Sequence, residues 1–510
     1  MTKILSVEKI READKFTIKN EPIASIDLME RAGNKCADWL LNRLPDKISV
    51  RIIVGQGNNG GDGLVIARHL LQNSFEVVVD IVKFTDKYSI DFSTNLKRLE
   101  EIPGSKINVL EKIEDLNPIL ENEIIIESIF GSGLSKPIEK GFIADVVNVI
   151  NSSDTLVISV DIPSGLFADK TVDATKYAVV KADITLSLQF PKMAFFFAEN
   201  AQFVGQVEII PIGLHPDFIN SVKPDAIFLD PAIAIGMRRP RAKFSHKGNY
   251  GHALLIAGSY GKFGAAVLAS KACLKAGVGL LTTHIPKTAN DILQISTPEA
   301  MLSLDENDLC FSKVPNLDSY NAIGIGPGLG VYKEAANAFK ILIQETKVPI
   351  LIDADGLNIL AENKTWLSFL PENSILTPHP KEFERLVGKW DNSFEMIEKQ
   401  KEFSSKHKVI CVLKGAYTSV SYPGGELFFN SSGNPSMATA GSGDVLSGII
   451  LSLMAQNYHT GLAALYGVFI HGLSADLLME KESMESLIAS DIVDNLGKAF
   501  NYKIQLKGAK

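Results

Sequence analysis

Along the first two hundred residues the apolar positions fall into short Val/Ile-rich runs, separated by longer stretches in which they recur every three or four places. The runs are "RIIVG" (51–55), "FEVVVDIV" (75–82), "EIIIESIFG" (123–131), "TLVISVDIPSG" (155–165), "ADITLSLQF" (182–190) and "GQVEIIPIGL" (205–214). Such runs, joined by helix-length amphipathic segments, predict a βαβ series around a buried parallel sheet. Ahead of them, "SIDLMERAGNKCADWLLNRL" (25–44) carries its apolar residues at helical spacing and predicts a helical lead-in. The rhythm breaks across residues 215–251, which hold prolines at 216, 224, 231 and 240 and a small basic cluster, so a domain boundary is expected near 225–235. Alternation then resumes with "HALLIAGS", "LLTTHIP", "AIGIGPG", "PILIDADG", "SILTPHP" and "VICVLKGA". It closes in two helical stretches, "GDVLSGIILSLMAQ" and "GLAALYGVFIHGLSADLLM". The expected fold class is α/β with two domains, 1–225 and 226–510.

Size agrees with that division, because single cores stop growing near ~250–300 residues and the chain has 510. A composition of 46% hydrophobic and 22% charged residues is that of an ordinary globular protein. The net charge of −8 argues against a polyanion binder, so nucleic acid is not an expected partner. Residues 1–20 mix charges among their apolar positions, unlike a signal peptide, and no run reaches the roughly 18 apolar residues of a membrane span. The four cysteines (Cys36, Cys273, Cys310, Cys411) are far apart, without a C-x-x-C pair or zinc spacing, and read as small buried hydrophobes in a reducing cytoplasm.

Chemistry enters at the strand ends. Gly55, Gly57 and Gly60 satisfy G-x-G-x-x-G between a strand and a helix, where backbone N–H groups can receive phosphate; the same glycines also suit a tight turn alone. The turn has a polar centre, Asn58, Asn59 and Asp62, which points to chemistry or a cation rather than to close pyrophosphate approach only. Asp80 reads either as a ribose-binding acid or as an ordinary strand end. Two more strand ends carry polar groups, Glu127 with the glycine-rich 131–137 loop, and Asp161 with Ser164. In an open parallel sheet such ends converge on one crevice.

Together "VGQGNNGGDGLVIARHL", "FGSGLSKP", "VDIPSG" and "ADITLSLQFPK", with "LMERAG" at 28–33, resemble the NAD(P)H-hydrate epimerase family over about residues 1–220. The resemblance implies a Rossmann-like αβα sandwich. It implies that the hydrate of NADH or NADPH is bound by Asn58, Asn59, Gly60, Gly61 and Asp62, by the loop Gly131, Ser132, Gly133, Leu134, Ser135, Lys136 and Pro137, and by Asp161. It also implies K+ at Asn59, Glu127 and Ser164, although the family usually has Asp where this chain has Glu127. Inversion at the hydroxyl-bearing carbon needs acid–base help, for which Asp161 is the candidate and Lys192 a second one, unless Lys192 is a solvated surface residue.

In the second half, "MATAGSGDVLSGIILSL" sets Gly441, Gly443 and Asp444 just before a long apolar helix. Amides at a helix start form an anion hole, and a carboxylate beside it can deprotonate a hydroxyl about to receive a phosphoryl group. The chain has no Walker A sequence, and a capped glycine-rich turn is the plain alternative. The G-x-G-D arrangement resembles the ribokinase-like superfamily. With "SHKGNYGHALLIAGSYGKFGAAVLAS", "AIGIGPGLG", "DADGLN", "LTPHPKEFERL" and "VLKGAYT", it resembles the ADP- or ATP-dependent NAD(P)H-hydrate dehydratases over about residues 236–505. That implies hydrate contacts at Ala265, Gly326, His379 and Asp444, and nucleotide contacts at Lys414, Gly415, Ala416, Tyr417, Thr418, Ser419 and Gly443. Asp444 would be the catalytic base, ADP the co-substrate and Mg2+ the ion bridging its phosphates; Asp353 and Asp355 either position that ion or tie off a strand. A homo-oligomer is the family's usual state. The rival reading is a ribokinase-type small-molecule kinase fused to a non-catalytic dinucleotide-binding module.

Overall fold

A computed structural model describes residues 2–45 and 48–503. They form two compact units, Thr2–Ala226 and a unit beginning at Ile227. After a short strand β1 (Thr2–Ile4) and the helices Val7–Asn20 and Ser25–Leu41, the first unit holds β2 (Ser49–Val54), β3 (Glu76–Val82), β4 (Lys106–Leu110), β5 (Glu123–Ser128), β6 (Val157–Val160), β7 (Ile184–Leu188) and β8 (Gln206–Ile210). Their order is β4-β3-β2-β5-β6-β7-β8, and every neighbouring pair is parallel.

The two faces of this sheet are filled by alternate residues of the same strands, as a period of two requires. Ile52, Val79, Ile126 and Ile158 pack with the helices Ser25–Leu41, Asn58–Gln72 and Ile90–Glu100, whereas Ile53, Ile125 and Val157 pack with Phe142–Ser152. The result is an αβα sandwich. The strand order reverses between β2 and β5, whose last residues Val54 and Ser128 stand side by side. A crevice opens at such a reversal, outside the C-terminal strand ends.

In the second unit the strands are β9 (Ala226–Phe228), β10 (His252–Ile256), β11 (Leu280–Ile285), β12 (Met301–Leu304), β13 (Ala322–Ile325), β14 (Ile350–Ile352), β15 (Ile375–Leu376), β16 (Ile410–Leu413), β17 (Ser419–Ser421) and β18 (Leu427–Phe429). They run in the order β9-β18-β17-β16-β15-β14-β13-β10-β11-β12. The sheet is mixed, because β17 is antiparallel to both β16 and β18 while β10 to β16 pair in parallel. One face carries the apolar helices Phe263–Lys275, Ser442–Ala455 and Thr460–Asp476; the other carries Lys333–Glu345, Ala354–Glu362 and Pro380–Val387. All four cysteines are buried and free. No helix among the described residues is long and apolar enough to cross a membrane.

Candidate active sites

The N-terminal crevice is a cavity of about 700 Å³. Two glycines of its first turn work by packing, since a Cβ on Gly60 would lie 1.9 Å from the Gly55 carbonyl oxygen and one on Gly55 would lie 2.2 Å from that of Ile129. The Asn58 helix start can therefore sit directly against the strand ends. Asn58, Asn59 and Asp62 line the cavity, as do Gly131 to Ser135 and Asp161; Gly60, Gly61, Lys136 and Pro137 are not part of its wall. Gly61 faces the Met29 thioether instead. Phe84 and Tyr88 supply an aromatic side that the motifs do not announce, with Phe84 packed on Phe130 at a centroid distance of 5.2 Å.

Asp161 follows β6 with φ +70, a left-handed backbone that is costly for a side chain larger than glycine. Its Oδ2 accepts from the Ser132 N–H at 2.8 Å, and its Oδ1 faces Lys192 Nζ at 2.5 Å. Lys192 is no surface lysine: it is 1% exposed and also donates to Ser187. Burial works against the charge on Asp161, but Lys192 and the Ser132 amide outweigh it and hold the carboxyl below its ordinary range. Asp62 has no such cation. Burial first, then Asp161, Asp14 and Asp91, push its carboxyl well above the usual range.

Asn59 and Glu127, both expected at a K+ site, are placed differently. Both side-chain polar atoms of Asn59 are buried without a partner, so its oxygen fits an ion. Glu127 does not fit as arranged. Its carboxylate accepts from Ile129 N, Ser159 Oγ, Ser164 N and Ser164 Oγ, which fills the roughly four acceptor positions a carboxylate has. Ser164 Oγ in turn accepts from Phe130 N at 2.7 Å. Asp80 is fully buried, paired with Arg51 at 3.0 Å and bonded to Asn108, which makes it part of the sheet's interior ion network.

In the C-terminal unit the G-S-G-D turn begins the helix Ser442–Ala455, capped by Gly441 at φ +89. A Cβ on Gly443 would stand 3.5 Å from Lys414 Nζ, so this lysine lies directly beside the amide hole. Lys414 Nζ donates to Asp353 at 2.9 Å and lies 3.9 Å from Glu382. Asp353, buried at the end of β14, also accepts from Ser447 Oγ at 2.7 Å. Burial opposes its ionisation, yet Lys414 and Ser447 keep its carboxyl below the ordinary range. Asp444 meets the reverse balance: burial first, then Asp353, push it up to about 7, with Lys414 opposing.

The remaining predicted residues divide. Gly326, at φ +130, has room for no Cβ because the Asp353 carbonyl oxygen would be 1.8 Å away. Ala265 opens the helix Phe263–Lys275 and its Cβ lies by Gly328. His379 caps the helix Pro380–Val387, its Nδ1 accepting from the N–H groups of Lys381 and Glu382 at 3.1 and 3.4 Å. Burial, with Lys414 and Arg385, lowers its pKa, so the ring is neutral with a proton on Nε2. Gly415, Ala416 and Tyr417 are exposed, and Thr418 bonds back to Gly415. Ser419 is buried in β17 and donates to Gln400. Asp355 accepts from Gly330 N at 2.8 Å and Lys262 at 3.1 Å, tying two loops together. Among the described residues no three His, Cys, Asp or Glu side chains gather as a metal cage. Any magnesium here would have to come mainly on nucleotide phosphates, which is how that ion is commonly held.

Fold and sites define an α/β enzyme with two centres, each pairing a glycine-rich turn with a lysine-held carboxylate. A family model described as NAD(P)H-hydrate dehydratase matches residues 253–498, and one described as YjeF-related protein N-terminus matches 25–194. The bifunctional NAD(P)H-hydrate repair enzyme of Moorella thermoacetica is 32% identical, covering 97% of this chain and 96% of that protein. Its counterpart from Thermofilum pendens is 34% identical, covering 98% and 96%. Among solved structures, the ADP/ATP-dependent NAD(P)H-hydrate dehydratase from Bacillus subtilis, co-crystallised with ATP/Mg2+, is 28% identical over 54% of this chain and 98% of that one, with a TM-score of 0.47. The chain belongs to the family of bifunctional NAD(P)H-hydrate repair enzymes: an epimerase domain joined to a ribokinase-like, nucleotide-dependent dehydratase domain.

Proposed function

We propose that the N-terminal cavity interconverts the R and S hydrates through Asp161, and that the C-terminal centre uses ADP, giving AMP and phosphate, with Asp444 as the base. The observation that carries the second half is the placement of Asp444: a carboxylate at a helix N-terminus, with a pKa of about 7, beside Lys414 and the Gly443 amide. A base poised near working pH can take the proton of the ring hydroxyl as that oxygen receives the phosphoryl group. Phosphate then leaves in place of hydroxide, expelled by the ring-nitrogen lone pair, and loss of a proton from the neighbouring carbon restores the dihydronicotinamide. Amides of the G-S-G turn and Lys414 would stabilise the transferring charge. Lys414 to Thr418 would hold the nucleotide, with Gly326 and His379 against the hydrate.

In the first site, Lys192 keeps Asp161 ionised so that it can accept a proton from water adding to the ring carbon. Asn58, Asn59 and the 131–135 amides would receive the dinucleotide. Asn59 suits K+, whereas the Glu127 carboxyl is bonded to Ser159 and Ser164 and is not a direct ligand; no chemical step depends on that ion. Mg2+ would screen the nucleotide phosphates. We further place the enzyme in the cytoplasm as a homo-oligomer, which light scattering of purified protein tests.

The test of the chemistry is to incubate purified enzyme with hydrated NADPH and either ADP or ATP. Recovered NADPH should equal the phosphate released, with AMP formed from ADP. A phosphorylated nicotinamide product that persists would overturn the reading.

A further inference from the structure

The helix Val7–Asn20 lies outside the stretch matched by the N-terminal family model, which starts at residue 25. Nevertheless it delivers Ile10, Arg11 and Asp14 to the wall of the cavity. These three positions share one helical face by their three- and four-residue spacing. Arg11 reaches the glycine-rich loop, its guanidinium lying 3.3 Å from where a Gly133 Cβ would stand. Asp14 has no hydrogen bond or ion pair among the described residues, although it is partly buried in a well-packed unit. A half-buried carboxylate facing a cavity with nothing to satisfy it calls for a ligand or a proton.

Inverting a carbinol centre needs two proton-handling groups, because water departs from one face of the ring carbon and returns to the other. Asp161 is fixed by Ser132 and Lys192, and one fixed carboxylate cannot serve both faces of a bound ring. We infer that Asp14 is the second acid–base group of the epimerase, working opposite in role to Asp161. In one direction protonated Asp14 gives its proton to the departing hydroxyl. The C–O bond breaks as the ring-nitrogen lone pair forms an iminium ion and water leaves. A new water adds to the other face and loses its proton to Asp161. The product has the inverted configuration, the proton count is unchanged, and the two carboxyls have exchanged protonation states, ready for the reverse reaction or for exchange with solvent.

The surroundings favour this division. The charged groups that bear on Asp14 are Asp161 on the cavity wall, Lys192 buried behind it and Asp62 from the helix Asn58–Gln72, with Arg11 on its own helix. With one buried lysine among three carboxyls, full ionisation is unfavourable. Burial and then Asp161 bring Asp14 to about 6, against a partial opposing effect of Lys192.

This role rests on the epimerase reading of the first unit, and the test separates the two. Without nucleotide the dehydratase is idle, so exchange of an enriched R hydrate into S is followed by chromatography between pH 5 and 9. Asp14→Asn is expected to lower the kcat of exchange by about a hundredfold, leave the KM for hydrate within about twofold, and remove the limb of the pH profile near 6. Asp14→Glu should recover part of the rate. ADP-driven repair of pure S hydrate by the same variant should match wild type and its thermal unfolding should be unchanged, showing that both units are folded. Wild-type exchange with an unchanged profile in Asp14→Asn, or a loss expressed wholly in KM, overturns the role of Asp14. Absence of exchange in the wild-type chain overturns the epimerase reading itself.

Discussion

Replacing Asp444 by Asn should cost activity and add stability, and the pH dependence of both follows from one displaced pKa. Asp444 is shifted from an ordinary 3.8 to about 7 by burial and by Asp353. A base with that pKa is about one-tenth ionised at pH 6 and about nine-tenths at pH 8, so kcat/KM for the S hydrate should rise close to tenfold across that interval. Asp444→Asn removes the base, with an expected loss of roughly a hundredfold to ten-thousandfold and a flat profile. The stability effect has the opposite sign. Because the folded value is raised, folding favours the protonated carboxyl; the contribution is intact below pH ~4 and is lost as pH climbs to ~7. Ionised Asp444 thus costs the folded wild type up to about 4 kcal/mol above pH 7, and asparagine escapes that cost. The gain of the variant over wild type in urea denaturation should grow by about 2–3 kcal/mol between pH 5 and pH 8. A wild-type rate that is level from pH 6 to 8, together with equal stability of the two proteins at both pH values, would refute the reasoning.

Two further substitutions probe the packing and the charge balance of the first centre. Gly60→Ala places a methyl 1.9 Å from the Gly55 carbonyl oxygen; backbone must move, at about 1–3 kcal/mol or more, so the melting temperature should fall and exchange of the hydrates should be lost while ADP-driven repair persists. Lys192→Met strands the buried Asp161 carboxylate, an uncompensated charge costing about 3–5 kcal/mol. Since Lys192 lowers the Asp161 pKa, the exchange profile should move to higher pH, measured as the shift of its acidic limb.

What could be read from the chain depended on whether one residue or one run carried the information. β2, β3 and β5 are buried on both faces and therefore spell Val/Ile runs, interrupted inside β2 and β3 only by the ion-paired Arg51 and Asp80. β4 is an edge strand whose Lys106 and Asn108 interrupt the pattern, and β17 and β18 are three-residue strands too short for any periodicity. Among the site groups, Asn58, Asp62 and Asp161 lie in compact motifs at strand ends and could be named in advance. Lys192 could be named but not placed, since "FPK" carries no sign that its ammonium is buried against a carboxylate 31 positions away. Asp353 and Lys414 were legible separately, in unrelated roles; that they form one ion pair across 61 positions is a fact of the fold. Asp14 sits in an ordinary amphipathic helix, and nothing local distinguishes it from a solvated carboxylate.

The two centres have no sequence repeat in common, yet they solve one electrostatic problem in the same way. Each needs a carboxyl group that exchanges protons near neutrality, where an isolated aspartate is ionised and a poor acid. A lysine is packed against one aspartate, the buried Lys192 on Asp161 and the half-buried Lys414 on Asp353, which favours that aspartate's ionised form. Burial, and after it the fixed negative charge, then act on a second carboxyl that no cation is bonded to, raising Asp62 and Asp14 in one site and, against partial opposition from Lys414, Asp444 in the other. Lysine alone would lower the second carboxyl, and two unpaired aspartates would share one proton without a defined donor. The buried pair removes that ambiguity, because it fixes which carboxyl is ionised in the resting site and which one holds the proton at the start. It follows that neutralising the paired aspartate, rather than the titrating one, should move the pH range of proton transfer by lowering its neighbour's pKa: in Asp353→Asn, Asp444 loses a repelling charge and faces an unshared Lys414, so the pH at which dehydration is half-maximal should fall below 7, and an unmoved midpoint would break the link between the two carboxyls.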